Sequence, residues 1–431
     1  DVSPVEASGS GVGGVQAAGF GGSGAAEPHV LVAAGGEGLA LVADGAYPRA
    51  EAALASAYYL AAREDAWTTA SDAANELIFL IGYKLARPAE ARAWFRHAEV
   101  AAVHAGDPTG LVAARRLGEL ATALDLAGDY RESEALYRQA ITLDERALGP
   151  DHPQLAVTLN NLGSLLLATG DYAEAGALLT RSLAIRSASL GPDHPDLAQS
   201  LGNLASVHVA LGDYATARAE QERALAIKEK ALGPTHPAVA NTLNNLALVH
   251  YHTGDFAAAR PIHARALAIR EQAFGPAHPL VGDSLVNLAV IDRALGDDRA
   301  ARTRYERAIP IFAALGPDHP DLADVLANLG SILADAGDLP AARRLAEQAL
   351  AIREKALGQD HPRVADSLAS LAILDRMAGD LGPARVRLER ALAIVLAALG
   401  PDHPEHARLL ASLAELDLAE QRPDRALTGL E

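Results

Sequence analysis

An all-α, right-handed superhelical solenoid of about ten helical hairpins is the fold this sequence predicts, and three observations carry the prediction. From residue 148 onward one hexapeptide recurs in steps of 42, 42, 42, 41, 42 and 42 residues. It reads LGPDHP at Leu148–Pro153, Leu190–Pro195, Leu315–Pro320 and Leu399–Pro404, LGPTHP at Leu232–Pro237, FGPAHP at Phe274–Pro279 and LGQDHP at Leu357–Pro362. In phase with it runs a Gly-Asp pair, from Gly128-Asp129 through Gly170-Asp171, Gly212-Asp213, Gly254-Asp255, Gly296-Asp297 and Gly337-Asp338 to Gly379-Asp380. Hydrophobic residues make up 50% of the chain but aromatic ones only 4%, so the core is mostly Ala, Leu, Val and Ile, a mix that favours close helix packing over sheets. Each period holds two turns and two segments, and units of this kind bury their apolar faces only against their neighbours.

Taken in order, residues 1–28 hold eight glycines and almost no large apolar residue, which reads as a flexible linker. Gly9, Gly11 and Gly14 fit a phosphate-loop spacing, but their flanks are more glycine rather than a strand and a helix, so low complexity is the reading. The chain opens at Asp1 without a basic stretch leading into an apolar run; no signal peptide is read there, and a longer precursor is compatible with that opening. Across 29–106 two irregular repeats are expected, because Gly45-Ala46-Tyr47 followed by Ala50, and Ala86-Arg87-Pro88 followed by Ala91, stand where a Gly-Asp-Tyr turn and its alanine belong. From 107 to 431 the 42-residue units run in tandem. The last has a first helix predicted over 404–420 and then only Arg422 to Glu431, too short for a full second helix.

Both segments of a unit have helical spacing. In Asp196–Leu232, Leu197, Leu201, Leu204 and Val207 form one stripe, and Ala217, Ala224, Leu225 and Ala231 form another beyond Gly212-Asp213. The hexapeptide links one hairpin to the next: its glycine suits the left-handed residue past a helix end, its last proline presets the next first turn, and the Asp or His before that proline can accept from a free backbone N–H. Pro310 falls inside a second helix, beside the one-residue deletion, and predicts a bend there with a change of superhelix direction.

A small residue follows leucine in every first helix (Leu162-Gly163, Leu204-Ala205, Leu246-Ala247, Leu288-Ala289, Leu329-Gly330, Leu371-Ala372, Leu413-Ala414), and two alanines recur in the second. These pairs are Ala217/Ala224, Ala259/Ala266, Ala301/Ala308, Ala342/Ala349 and Ala384/Ala391, with Ser182 replacing the second alanine after Ala175. On these residues the chain resembles tetratricopeptide repeat proteins, specifically the long-repeat kind found in kinesin light chains. The resemblance implies a protein-interaction scaffold.

Several chemistries are excluded by composition. Lys+Arg 37 against Asp+Glu 55 leaves a net charge of −18, which disfavours nucleic acid and anionic membranes. With no cysteine there is no disulfide, thiolate metal site or cysteine nucleophile. No run of about 18 apolar residues predicts a membrane span. The compartment stays open, with the cytoplasm as the expectation. Seven histidines occupy the hexapeptides, but equivalent positions in stacked repeats lie roughly 10 Å apart, too far for shared metal ligation, so capping is the expected role. His250 with His252, and His403 with His406, lack a third ligand. Nucleotide, zinc-protease, hydrolase and kinase signatures are missing. No catalytic residue, metal or cofactor is assigned.

The candidate site is a ladder of amides. Two residues before each small first-helix residue stand Asn161, Asn203, Asn245, Asn287 and Asn328, followed by Ser370 and Ser412. Asparagine costs roughly 0.5–0.7 kcal/mol against alanine inside a helix, so propensity does not explain five of them. The resemblance implies that an asparagine at this register faces a concave groove and hydrogen-bonds the backbone of a bound peptide; an amide both donates and accepts, so it can hold an extended chain of any sequence. The alternative is that the amides satisfy neighbouring helices within the solenoid. One turn earlier lie Val157, Gln199, Asn241, Asp283, Asp324 and Asp366, so the face turns acidic toward its C-terminal half and is expected to prefer a partner segment with Lys or Arg. Arg293 and Arg376 lie near the same face and could pair with those acids.

The function read from the sequence is a non-catalytic scaffold that takes a partner's extended peptide in this groove. A second reading, the C-terminal regulatory or sensor region of a larger bacterial signalling enzyme, rests on a resemblance to the tail of certain bacterial Ser/Thr protein kinases. A third is self-association through the last repeat, whose face of Leu409, Leu410, Leu413 and Leu416 is expected to be exposed.

Overall fold

The computed structural model describes residues 28–106 and 110–422, with side chains from Gly36 onward in the first helix. Among these residues it contains α-helices, one π-helical turn and no strand. Two compact units divide the chain, one through Pro234 and one from Thr235.

The unit through Pro234 holds α1 (Pro28–Ala43), α2 (Tyr47–Arg63), α3 (Trp67–Phe79), α4 (Pro88–Ala105), α5 (Leu111–Leu126), α6 (Tyr130–Leu148), α7 (Pro153–Thr169), α8 (Tyr172–Leu190), α9 (Pro195–Ala210) and α10 (Tyr214–Leu232). The unit from Thr235 holds α11 (Pro237–His252), α12 (Phe256–Phe274), α13 (Pro279–Ala294), α14 (Asp298–Ala313), α15 (Pro320–Asp335), α16 (Leu339–Leu357), α17 (Pro362–Ala378), α18 (Leu381–Leu399) and α19 (Pro404–Ala419). In each unit the helices pair as hairpins, each packed on the next, which is the repeating architecture of an all-α solenoid. The proposed linker lies outside the described residues apart from Pro28, which opens α1.

The hexapeptide does what its residues dictate. In every one the histidine is the N-cap, with extended backbone, and its Nδ1 accepts from the N–H two residues on: Gln154 for His152, Leu280 for His278, Glu405 for His403. The following proline occupies the first helical position, where its missing N–H costs nothing. The preceding glycine adopts φ of +89° at Gly149 and +84° at Gly191, which an L side chain resists. At the other turn aspartate caps the second helix: Asp171 accepts from the Glu174 N–H and Asp255 from the Ala258 N–H.

The core is alanine-rich at the helix crossings. Ala217, Ala224, Ala259, Ala266, Ala342 and Ala349 are all buried. Pro310 sits in α14, which has 16 residues where α12 and α16 have 19; the helix ends at Ala313, and Gly316 takes φ of +145° instead of the usual value near +85°. Two features were not foreseen. The π-helical turn at Leu80–Lys84 extends α3, and Pro261 lies within α12.

The expected exposed face of the last repeat is corrected. Leu409 and Leu416 are fully buried, packed with Val364, Leu388 and Ile394, and Leu413 is half-buried against the same cluster. The physical reason is register: these residues face back onto α17 and α18 rather than outward. Residues 423–431, on which the expected truncation of that repeat falls, lie outside those described.

Candidate functional site

Four residues past each helix-opening proline and eight residues past it lie two registers on one helix face, a turn apart. Within the first unit, Asn161 lies in hydrogen-bonding reach of the Tyr137 hydroxyl, which also meets Thr122 Oγ1 at 2.9 Å; burial holds that phenol well above its ordinary range. The Asn203 Nδ2 donates to Ser164 Oγ at 2.8 Å and to Asn160 Oδ1 at 3.2 Å, both on the preceding first helix. Within the second unit, the Asn287 Nδ2 donates to Asn244 Oδ1 at 3.0 Å, and Asn287 is only 1% exposed. The side chains of Asn245 and Asn328 are half-buried, and their amides hydrogen-bond no other described residue.

The ladder is thus not five equal open amides. Asn203 and Asn287 bridge successive first helices, because a side chain at this register reaches the helix of the preceding repeat, and Asn287 is sealed from solvent there. Two amides, Asn245 and Asn328, make no side-chain hydrogen bond to a described residue.

The acidic register is also uneven. Asp324 accepts from Arg353 Nη2 at 2.6 Å and from Arg363 Nη1 at 3.2 Å, so its charge is balanced internally. Asp283 receives no hydrogen bond from a described residue; burial raises its carboxyl above the ordinary range and Asp321 raises it further, against the pull of Arg270, His278 and His319. Asp366 is exposed, and its carboxyl is raised by burial of the group and by Glu405. Neither nearby arginine pairs as expected: Arg293 Nη2 binds Ser331 Oγ at 2.9 Å and Asp335 at 2.7 Å, and Arg376 lies 3.5 Å from Glu415.

A joint between repeats explains this unevenness, and sequence reading missed it. The fourth residue past the second small residue of a second helix (Ser182, Ala266 or Ala349) is arginine at Arg186, Arg270 and Arg353. Each buried guanidinium donates through Nη1 to a backbone oxygen and a serine hydroxyl in the first helix of the next repeat: Asp196 O and Ser200, Leu280 O and Ser284, Arg363 O and Ser367. Through Nη2, Arg270 and Arg353 also reach back to Asn241 Oδ1 and Asp324 Oδ1 in their own repeats. Where the arginine is absent the serine is absent too: Phe312 is followed by Val325, and Val395 by Leu409. Phe312 needs further room, and Gly282 gives it; a Cβ at Gly282 would stand 2.7 Å from the ring. The signal lay in the sequence as this paired change, visible once the two registers are compared across repeats.

The tetratricopeptide repeat model matches residues 117–186, 154–230, 197–272, 238–314 and 321–397, overlapping windows that together span more than half of the chain. The chain belongs to the tetratricopeptide repeat family. Among solved structures it is similar to BtubC (BKLC) from P. vanneervenii, at 27% identity over 53% of this chain and 90% of that one, with a TM-score of 0.46. It is also similar to a Podosopora anserina putative kinesin light chain of nearly identical tetratricopeptide-like repeats, at 26% identity over 49% of this chain and 98% of that one, with a TM-score of 0.43. The apo form of RapI shares the fold over 85% of this chain and 97% of that one, at 11% identity and a TM-score of 0.61. No curated protein matches the chain in sequence. As a tetratricopeptide repeat protein it is a helical scaffold for protein–protein interaction, and no described helix is long and apolar enough to cross a membrane.

Proposed function

We infer that this tetratricopeptide repeat protein binds an extended segment of a partner protein along the first-helix face, without catalysis of its own. The observation that supports the reading is the pair Asn245 and Asn328, which present amides with no internal partner among the described residues at a register whose other members are tied into the fold. Each amide can donate to one backbone carbonyl and accept from one N–H of a bound chain, and such contacts do not depend on the peptide's side chains.

The test is a selection of displayed random 12-residue peptides on the full chain, followed by affinity measurements on the Asn245→Ala/Asn328→Ala variant. Enriched peptides should bind the variant at least tenfold more weakly while its helicity is unchanged, a loss of about 1.4 kcal/mol. Equal affinity for the two proteins, or no enriched peptide, would remove the reading.

A further inference from the structure

In α5 an acid takes the place of the ladder amide. Glu119 stands 42 residues before Asn161, and it is half-buried. Its Oε1 accepts from Arg115 Nε at 2.7 Å, and the Nη2 of the same guanidinium donates to Glu76 Oε1 on α3. One cation thus serves two carboxylates and ties together the first helices of successive repeats. The other oxygen of Glu119, Oε2, is sealed from solvent and receives no hydrogen bond from a described residue. A carboxylate held in this way lacks the water and the donors that stabilise its charge, and the neutral acid loses far less on burial.

The neighbouring helices do not make good the missing charge. On α3, one turn before Glu76, the Asp72 carboxyl is itself pushed above its ordinary range by burial, against the pull of Arg115 and with Glu76 adding to the rise. Arg116 is buried and turned toward α4, where its guanidinium lies over the Phe95 ring and its Nη1 stands 3.5 Å from Ala98 O. The π-helical turn lays Lys84 over Phe79 and Tyr83, and α6 brings the Tyr137 hydroxyl, which Thr122 engages. The ladder member of α7, Asn161, carries no charge. Burial, with Glu76 adding to it, outweighs Arg115 and Arg116 and raises the Glu119 carboxyl from 4.5 to about 7.

We propose that Glu76, Arg115 and Glu119 form a proton-operated latch between the first helices α3 and α5. With a proton on Glu119, Arg115 and Glu76 are a matched pair across the two helices. When the proton leaves, the guanidinium is divided between two carboxylates and the joint loosens. Between pH 4.5 and 7 the folded chain holds a proton that the unfolded chain has released. The latch therefore contributes most on the acid side of that window, and its contribution is lost as pH rises through it.

The test is a carbon-13 titration of the glutamate carboxyls in the full chain, with Glu119→Gln assigning the resonance, followed by hydrogen exchange on both proteins. Glu119 should titrate with a midpoint near pH 7. Glu76→Gln, which removes the second carboxylate, should lower that midpoint. Protection factors of α3 and α5 amides in the parent should fall at least about tenfold from pH 5.5 to pH 8, and less than about twofold in Glu119→Gln, whose side chain stays neutral throughout. A Glu119 midpoint at the ordinary 4.5 would overturn the latch. So would a midpoint indifferent to Glu76→Gln, or equal pH dependence of protection in the parent and Glu119→Gln. Should Glu76→Gln not fold, the comparison of the parent with Glu119→Gln decides alone.

Discussion

His263 shows what one buried side chain can do to the acid limit of a repeat. It lies in α12 at 1% exposure, its Nδ1 is without a hydrogen bond, and burial, with Arg270 adding to it, lowers its pKa from 6.5 to about 4. Between those values the unfolded chain binds a proton that the folded chain refuses. Stability from this residue is therefore complete above pH 6.5 and is lost as pH falls toward 4, by as much as about 3 kcal/mol. The corresponding residues of two sister repeats are Leu179 and Leu388, both buried, so leucine fits the site's surroundings. His263→Leu should flatten the fall in urea midpoint between pH 7 and pH 4.5 relative to the parent. Parallel curves for the two proteins would show that other groups set the acid limit.

At the scale of helices, the repeats are also joined by carboxylates held between arginines. Asp292 meets Arg260 at 2.7 Å and also Arg304; Asp375 is likewise held by Arg343 and Arg387, and both acids are fully buried. Their partners keep some solvent contact, which limits the cost of losing the charge. Asp375→Asn should destabilise the protein by about 2–3 kcal/mol, less than a fully sealed pair would, as read from the denaturant midpoint. From α6 onward the helices and turns were legible in the sequence, because the Gly-Asp pair and the hexapeptide mark the ends of each element in local chemistry; upstream only two irregular repeats could be read. The direction of side chains between repeats was less legible. Asn203 and Asn287 occupy one register and look alike in sequence, yet Asn203 reaches both Ser164 and Asn160 while Asn287 reaches Asn244 alone; the preceding first helix offers Ser164 in one repeat and Leu248 in the other, 39 residues away in each case. Leu409 was misread for the same reason, since an apolar stripe does not announce which neighbour covers it. The π-helical turn at Leu80–Lys84 carries no residue that marks it.

At the scale of whole compact units, contacts made between adjacent helices and between the first helices of adjacent repeats mean that damage stays local. Within the unit from Thr235, α11 and α12 share no joint with Asp375. Hydrogen exchange on Asp375→Asn should accelerate in α16 through α19 while amides of α11 and α12 keep their parent rates, as nearest-neighbour coupling requires. Uniform acceleration across that unit would instead show that it opens as one cooperative body.

The paired change of arginine with serine, and of phenylalanine with valine, also says where such a protein can be recombined. Each partnership joins the second helix of one repeat to the first helix of the next, across the hexapeptide. A chimaera spliced at the hexapeptide could place Arg270 before Val325 and leave a buried guanidinium facing a methyl group. Splicing at the Gly-Asp turn keeps the partners on one fragment. The transferable cassette therefore begins at a Gly-Asp turn and ends at the next, half a period out of step with the repeat as the eye divides it.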